Sequence, residues 1–408
     1  NRKIKQSLDV SLTNGNLGGI TKFKLLLDGT RGNSQDEIFL TELLREINFI
    51  SPRTQFVEAY VNGLKSTMLL QEKSTKEMLE YNGKIESAIF ESNENDFFKS
   101  LEKFSNNNLT EDEIGLWASL NKATMGIVAR QINNKWSLKS PMHLEISLRA
   151  LSNLNLVYVN SLNRFDQNSG DAIHNHNFDN TLLGKKNKKN IIKIDKFLLI
   201  LKAANADHAL AANNRKFYWD KLESYFEPIY YDGNPKIYKN EKIEINLPFS
   251  SYLNEALNDL EYSLANLDLK EFKKKLSSRR LNLTDQDIQK KISAITFNLS
   301  KLKNIIDNYD PSLAQSNKKL KINSKIIETA MINKKDNNSK ALFIFKEINQ
   351  EFNNHFLVCE GYRHCKKTEL TKKEQGKLLS GELFKDDYDY IYMGYYPNLE
   401  VNSEIKKF

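Results

Sequence analysis

The sequence predicts an α+β fold on three observations. In the run Thr21 to Gly29, Lys24 alternates with the apolar Phe23 and Leu25, the period of a half-buried strand. Ile38, Leu40, Leu43, Leu44 and Ile47 recur at the spacing of a helix with one buried face. After about residue 245 the pattern changes to long amphipathic helical runs. The chain has 408 residues, enough for two or three domains and a sizeable core. Four segments are expected: 1–75, 76–245, 246–310 and 311–408.

Residues 1–20 are polar, with turns at Asn14-Gly15 and Gly18-Gly19. They read as a strand and a hairpin turn; a glycine loop cradling phosphate is the alternative, because backbone N–H groups approach an anion where no side chain intervenes. Residues 21–75 read as a small sheet with one helix, closed by an Asn62-Gly63 hairpin turn. Residues 76–150 are expected to be largely helical, with Trp117, Leu120, Ile127 and Val128 in the core, and 150–165 form another helix. Residues 166–191 are polar and carry His174, His176, Asp179 and the run Lys185 to Lys189. A solvated loop is expected there, with a His-x-His metal pair as the alternative.

Asp195 is the expected N-cap of a helix running to about Ala206, with Phe197, Ile200 and Leu201 on its buried face. Phe217, Tyr218 and Trp219 suit one strand and Glu227 to Tyr231 a second, in a hairpin-like unit that brings Asp207 and Asp232 to one cleft. Leu253 through Leu269 and Asp285 through Ile306 read as a helical hairpin, with Lys273 to Arg280 a solvated basic connection. Residues 310–340 read as a linker, and Ala341 to Phe345 and His355 to Cys359 as strands of a small terminal α/β unit. Cys359 and Cys365 admit free thiols, a disulfide or, with His364, a metal site.

The net charge of +8 reflects either a lysine-rich composition or a preference for polyanions and acidic substrates. No nucleic-acid module signature accompanies it, so no specific nucleic acid is expected. No apolar run approaches the roughly 18 residues of a membrane span. The first residue is Asn1, which suggests a fragment or processed product; the compartment stays open, with an extracytoplasmic or surface location among the alternatives.

Two acid-bearing segments carry the chemistry. Asp207 is followed by Asn213 and Asn214, and Asp232 ends an apolar strand in a Gly-Asn-Pro turn. Phosphoryl transfer uses this kit: one carboxylate orients the acceptor hydroxyl, an amide and a second carboxylate hold metal ions, and a lysine neutralises phosphate.

Upstream, the Lys-bearing strand, the helix, Pro52-Arg53-Thr54 entering a strand that ends in Val61-Asn62-Gly63, and the strand ending in Gln71-Glu72 stand in the same order as in a known family. Over roughly the first 240 residues the chain resembles the CotH (spore coat protein H) family of atypical protein kinases. The resemblance implies a two-lobed kinase-like fold, here with the helical hairpin and small α/β unit added, that uses ATP with Mg²⁺ or Mn²⁺ to phosphorylate protein serines. It implies that Lys24, with Lys22 as the alternative, contacts nucleotide phosphates. A helix glutamate, Glu42 or else Glu37, positions that lysine. Arg53 reaches phosphate or caps the preceding helix, and Glu72 lies at the nucleotide cleft. Asp207 matches the catalytic acid, Asn214 or Asn213 the metal-holding amide, and Asp232 the metal-binding acid. The sequence departs from the family after Asp232, where Gly233-Asn234 replaces the common Asp-x-Asp ending. The alternative function is a non-catalytic kinase-like scaffold or a surface adhesion and assembly module.

Overall fold

The computed structural model describes residues 6–61, 63–92, 129–162, 180–211, 214–243, 250–308, 341–347, 354–360, 364–383 and 389–396. In chain order the elements are β1 (Leu8–Ser11), β2 (Lys22–Leu26), α1 (Ser34–Glu46), β3 (Thr54–Val61), β4 (Leu64–Glu72), α2 (Lys76–Tyr81), β5 (Ile89–Ser92), β6 (Ala129–Gln131), α3 (Asn134–Ser137), α4 (Pro141–Leu162), α5 (Asn180–Leu183), α6 (Lys188–Ala203), a 3₁₀ turn (Asp207–Leu210), β7 (Lys216–Asp220), β8 (Tyr225–Ile229), α7 (Leu253–Ala265), α8 (Leu269–Ser278), α9 (Asp285–Asp307), β9 (Ala341–Glu347), β10 (His355–Glu360), β11 (His364–Glu369), α10 (Lys372–Ser380) and β12 (Asp389–Tyr396). The fold is mixed α+β. It divides into two units that are not consecutive in sequence: Asn1–Ser87, Gly184–Asp220 and Ser224–Gln315 form one, and Ala88–Leu183, Lys221–Glu223 and Ser316–Phe408 the other.

The first unit holds an antiparallel sheet in the order β1-β2-β4-β3. Helix α1 begins where Asn33 accepts hydrogen bonds from the N–H groups of Gln35 and Asp36, with Asp36 and Glu37 in its first turn facing the positive end of the helix dipole. It is buried nearly all round, so its acids meet other elements rather than water. Asp36 pairs with Lys291 of α9 and accepts from the N–H of Ile237, while Glu46 takes Lys275 of α8 at 2.7 Å.

One apolar core joins α1, α6, α7, α8 and α9. The helices after residue 250 therefore belong to the same packed body as the β2–α1 segment. The expected solvated connection at Lys273 to Arg280 is instead mostly helix α8, capped by Asp268 on the N–H groups of Lys270 and Glu271. Its lysines face outward, but Phe272 and Leu276, one turn apart, are fully buried. Phe272 meets Phe39 edge to face at 5.2 Å. The charge run masks a narrow apolar stripe, which is why composition alone misreads it.

Helix α6 also begins earlier than expected. Asn187 is its cap, accepting from the N–H of Asn190, and the Lys188-Lys189 pair forms its first turn. Asp195 is no cap: it lies inside the helix, fully buried, and accepts a hydrogen bond from the Ser250 hydroxyl. Asn298 of α9 ties the end of α6 to the following segment, donating to the carbonyls of Ala203 at 2.7 Å and Tyr238 at 2.8 Å. Strands β7 and β8 form the expected antiparallel hairpin.

In the second unit β5 pairs antiparallel with β6, and a further sheet has the order β11-β10-β9-β12, with β12 parallel to β9. Helix α4 packs on β12 and β6. Its buried Asn155 accepts from the N–H of Ala129 and donates to the carbonyl of Tyr392. Between β11 and β12, Thr371 and Glu374 form a reciprocal cap that starts α10. Cys359 and Cys365 face each other across β10 and β11 and form a disulfide. Trp117, Leu120, Ile127, Val128, His174, His176, Asp179 and the stretch 310–340 lie outside the described residues. Among those described, no helix is long and apolar enough to cross a membrane.

The core role of α8 has a direct test. Phe272→Ala is expected to lower the unfolding free energy by about 3–5 kcal/mol in urea titration. Lys274→Ala, at an exposed position of the same helix, is expected to stay within about 0.5 kcal/mol of the parent.

Candidate functional site

Strand β2 places Lys24 between Asp9 of β1 and Gln71 of β4, with Phe23 and Leu26 buried on either side. The Lys24 ammonium donates to the Tyr231 hydroxyl at 2.8 Å. Two more cations reach the same ring. Lys216 Nζ lies 4.0 Å from its centroid and the Arg31 guanidinium carbon 4.9 Å. The hairpin explains Lys216: it opens β7 opposite Ile229, two residues before Tyr231. Lys22, by contrast, is exposed.

The chain leaving β8 is held by a hydrogen bond from the Tyr230 N–H to the Ile50 carbonyl at 2.9 Å. Successive side chains of an extended segment point to opposite sides. Tyr230 turns inward and donates to Glu37 at 2.6 Å, while Tyr231 turns to the cations. Asp232 follows in the left-handed region at φ 51°, a conformation that Asp and Asn accept more readily than most residues. Its carboxylate pairs with Arg31, and His208 Nε2 lies 3.8 Å away. Gly32, at φ 66°, suits glycine: any other residue would be strained there, and a Cβ would displace the Asn234 side chain.

Arg31 also donates through Nε to Gln71 at 3.2 Å, and Gln71 donates to Glu37 at 2.8 Å. A continuous polar chain thus runs from Asp232 through Arg31 and Gln71 to Glu37 and Tyr230. Burial pushes the Glu37 carboxyl up to about 7, against the pull of Tyr230 and Arg31. For the Tyr231 phenol, burial acts upward, but Lys216, Arg31 and Lys24 together hold it below its ordinary value. Burial likewise disfavours the Arg31 charge; Asp232 and Tyr231 outweigh it and raise that group.

Asp207 opens the 3₁₀ turn after α6 and is exposed, with Lys202 Nζ 2.7 Å from its carboxylate. Asn214 is buried and donates its amide to the His208 carbonyl at 2.9 Å, bracing the turn that carries Asp207. Asn213 lies outside the described residues.

Three expected site residues sit in separate clusters. Glu42 does not position Lys24; it is taken by Arg45 and Arg279, each at 2.6 Å, because it lies on the α1 face turned to α8. Glu37, the alternative, bonds Gln71 and Tyr230. Arg53 and Glu72 form a buried two-pronged ion pair of 2.5 and 2.8 Å. The remaining Arg53 donors hold the carbonyls of Gly18 at 2.7 Å and Gly19 at 3.2 Å. The Gly18-Gly19 turn therefore offers its carbonyl oxygens to an arginine, and Arg53 serves the fold around that turn. Arg31, Lys202, Lys216 and the Tyr230-Tyr231 pair were not singled out from sequence. The tandem tyrosines directly before Asp232 were the available signal.

Among the described residues, no group of three or more His, Cys, Asp or Glu stands ready to hold a metal ion. Compared with models of protein families and with curated proteins, the chain matches none.

The Arg53–Glu72 pair separates a structural role from phosphate binding. Arg53→Met leaves a buried carboxylate without its partner and is expected to cost about 3–5 kcal/mol of stability, most of it restored by adding Glu72→Leu. Urea unfolding of both variants measures this. Glu37 gives a pH dependence. Its folded pKa of about 7 exceeds the ordinary value near ~4.3, so the native chain holds an extra proton between them and loses stability as pH rises through that window. Glu37→Gln is expected to remove that pH-dependent loss, on the order of 3 kcal/mol over the whole window, read from unfolding curves across it.

Proposed function

We propose that the first unit is a CotH-like, ATP-dependent phosphotransferase acting on protein hydroxyls, most simply serine. The observation that carries this reading is the convergence of Lys24, Arg31 and Lys216 on Tyr231, directly beside Asp232. Three cations drawn from separate chain segments make a place for a polyphosphate, and an acid at its edge makes a place for the metal that accompanies one. In this reading the β1-β2-β4-β3 sheet with α1 is the nucleotide-facing lobe, and α6, the β7–β8 hairpin and α7 to α9 form the other.

Asp207 is the group that orients the acceptor hydroxyl and takes its proton. It is exposed, as contact with a protein acceptor requires, and Lys202 fixes its carboxylate. Mg²⁺ or Mn²⁺ would be held by Asp232, with Asn214 or Asn213 as the amide donor the resemblance implies. The donor set fits an ion that takes most ligands from phosphate and water, as Mg²⁺ does when bound by one or two carboxylates. When bound, the metal supplies charge neutralisation of the transferring phosphoryl group. Arg31 pairs with Asp232 here, and an incoming phosphate offers the guanidinium a second anionic partner.

That same pairing supports the second reading, a non-catalytic kinase-like scaffold, in which Arg31 and Asp232 stay together as a structural bridge. Phosphate transfer from γ-labelled ATP, with Mg²⁺ or Mn²⁺, to the chain itself and to casein-like acceptors decides between them. Asp207→Asn is expected to lower transfer by about 10²–10⁴-fold with little change in ATP affinity. Lys24→Met is expected to weaken ATP binding. Undiminished transfer in Asp207→Asn overturns the assignment, and no transfer with no ATP-induced thermal shift in the parent leaves the scaffold.

A further inference from the structure

Glu227 forms a charged centre that shares no residue with the Tyr231 site. Its side chain, on β8, is fully buried. Lys84, from the turn after α2, reaches one carboxylate oxygen at 2.7 Å, and Lys193, from α6, reaches the other at 2.6 Å. The Tyr225 hydroxyl donates to the oxygen that Lys84 holds, at 3.0 Å. Both lysine side chains keep about a quarter of their surface exposed, at 22% and 26%. Part of each lysine side chain therefore reaches solvent although the carboxylate does not.

One carboxylate cannot neutralise two ammonium groups. With both Nζ atoms on a single carboxylate, Lys193 feels the Lys84 charge, which disfavours its own protonated form. Burial acts in the same direction on Lys193, Lys84 adds to it, and Glu227 opposes it; the net effect lowers the Lys193 pKa. The other titratable groups here are Tyr225 and, on β7, Tyr218 and Asp220. Burial raises Tyr218, so its phenol stays neutral, and it donates to the Ile85 carbonyl at 2.9 Å. A lysine whose pKa is lowered by partial burial and a neighbouring cation is present more often as the free amine, which is the nucleophilic form.

We propose that Lys193 is a nucleophilic amine that condenses with aldehydes or ketones carrying an anionic group, and that Lys84 both activates it and receives the anion. The neutral Lys193 amine attacks the carbonyl carbon and forms the C–N bond, while the carbonyl π pair moves to oxygen. Proton transfer from nitrogen to oxygen gives the carbinolamine. Loss of water then leaves the imine, so amine and carbonyl become imine and water with no oxidant or reductant required. Lys84 donates a proton to the departing hydroxyl and regains it from the iminium nitrogen. This centre stands independently of the phosphotransfer reading.

The test uses the full chain with pyridoxal 5′-phosphate as the probe, trapping with borohydride and locating label by peptide mass spectrometry. At neutral pH, label is expected to concentrate on Lys193 by about tenfold over the average lysine, because a lowered pKa leaves more of it as the free amine. Its rate is expected to rise with a midpoint below the ordinary lysine value of ~10.4. Lys84→Met is expected to slow labelling at Lys193 by about tenfold, and an uncharged aldehyde to lose most of the preference. Label spread evenly over the lysines overturns the proposal, as does an ordinary pH midpoint in the parent chain, which needs no variant to fold. An unchanged Lys193 rate in a folded Lys84→Met chain overturns the activating role.

Discussion

The candidate site depends on one guanidinium. Arg31 pairs with Asp232, donates to Gln71 and lies over the Tyr231 ring. Through Gln71 it also reaches Glu37, so one side chain joins β4, α1 and the segment that follows β8. Without it, Asp232 would sit at a left-handed backbone position beside the His208 imidazole, 3.8 Å away. Arginine suits this place because its donors form a rigid fork and its charge does not titrate, so it serves several partners in fixed directions at once.

Helix α1 shows the same logic at larger scale. A helix buried on nearly every side is normally apolar all round, yet this one carries Asp36, Glu37, Glu42 and Glu46. Each acid goes to a different place: Asp36 to α9, Glu37 to β4 and Tyr230, Glu42 to the end of α8, and Glu46 to Lys275. Apolar packing supplies the bulk of the helix's attachment, and the acids set which element lies against which face. Unpaired, the buried Asp36, Glu37 and Glu42 would each carry the penalty of a buried charge, so their pairing disfavours alternative packings.

Much of the secondary structure was legible in the sequence, because it rests on periodicity. The Lys24 strand, helix α1, the β7–β8 hairpin and the long helices α7 and α9 each announce themselves through apolar spacing. What periodicity does not report is the partner of a charged residue. Glu42 looks like a candidate for Lys24 from its position on the helix, but the face it occupies is fixed by how α8 docks, and α8 is hidden under its own lysines. Asp195 reads as a cap because acids favour helix starts; only the position of Ser250 makes it useful inside the helix. Arg31 and Lys216 are unremarkable in their own segments and gain meaning from the strand pairing that delivers Tyr231 between them. For Lys24, Asp207 and Asp232 the resemblance named the residues, while their surroundings came from tertiary packing.

Two centres in the first unit place two cations on one carboxylate, and their chemistry differs for a simple reason. At Glu42 both cations are arginines, which keep their protons under all ordinary conditions. The surplus charge stays and is spread over Tyr81, whose ring lies 5.1 Å from Arg45 and 5.6 Å from Arg279, while the Arg279 guanidinium donates to its hydroxyl at 2.6 Å. At Glu227 both are lysines, and the ring nearby supplies a hydroxyl to the carboxylate rather than a face to the cation. The surplus there adds to burial in lowering the Lys193 pKa instead of being spread over a ring. The arginine centre serves to dock α8, whereas the lysine centre lowers the pKa of one of its amines. Identical stoichiometry thus suits docking in one case and the proposed amine chemistry in the other, and the choice of basic side chain separates them.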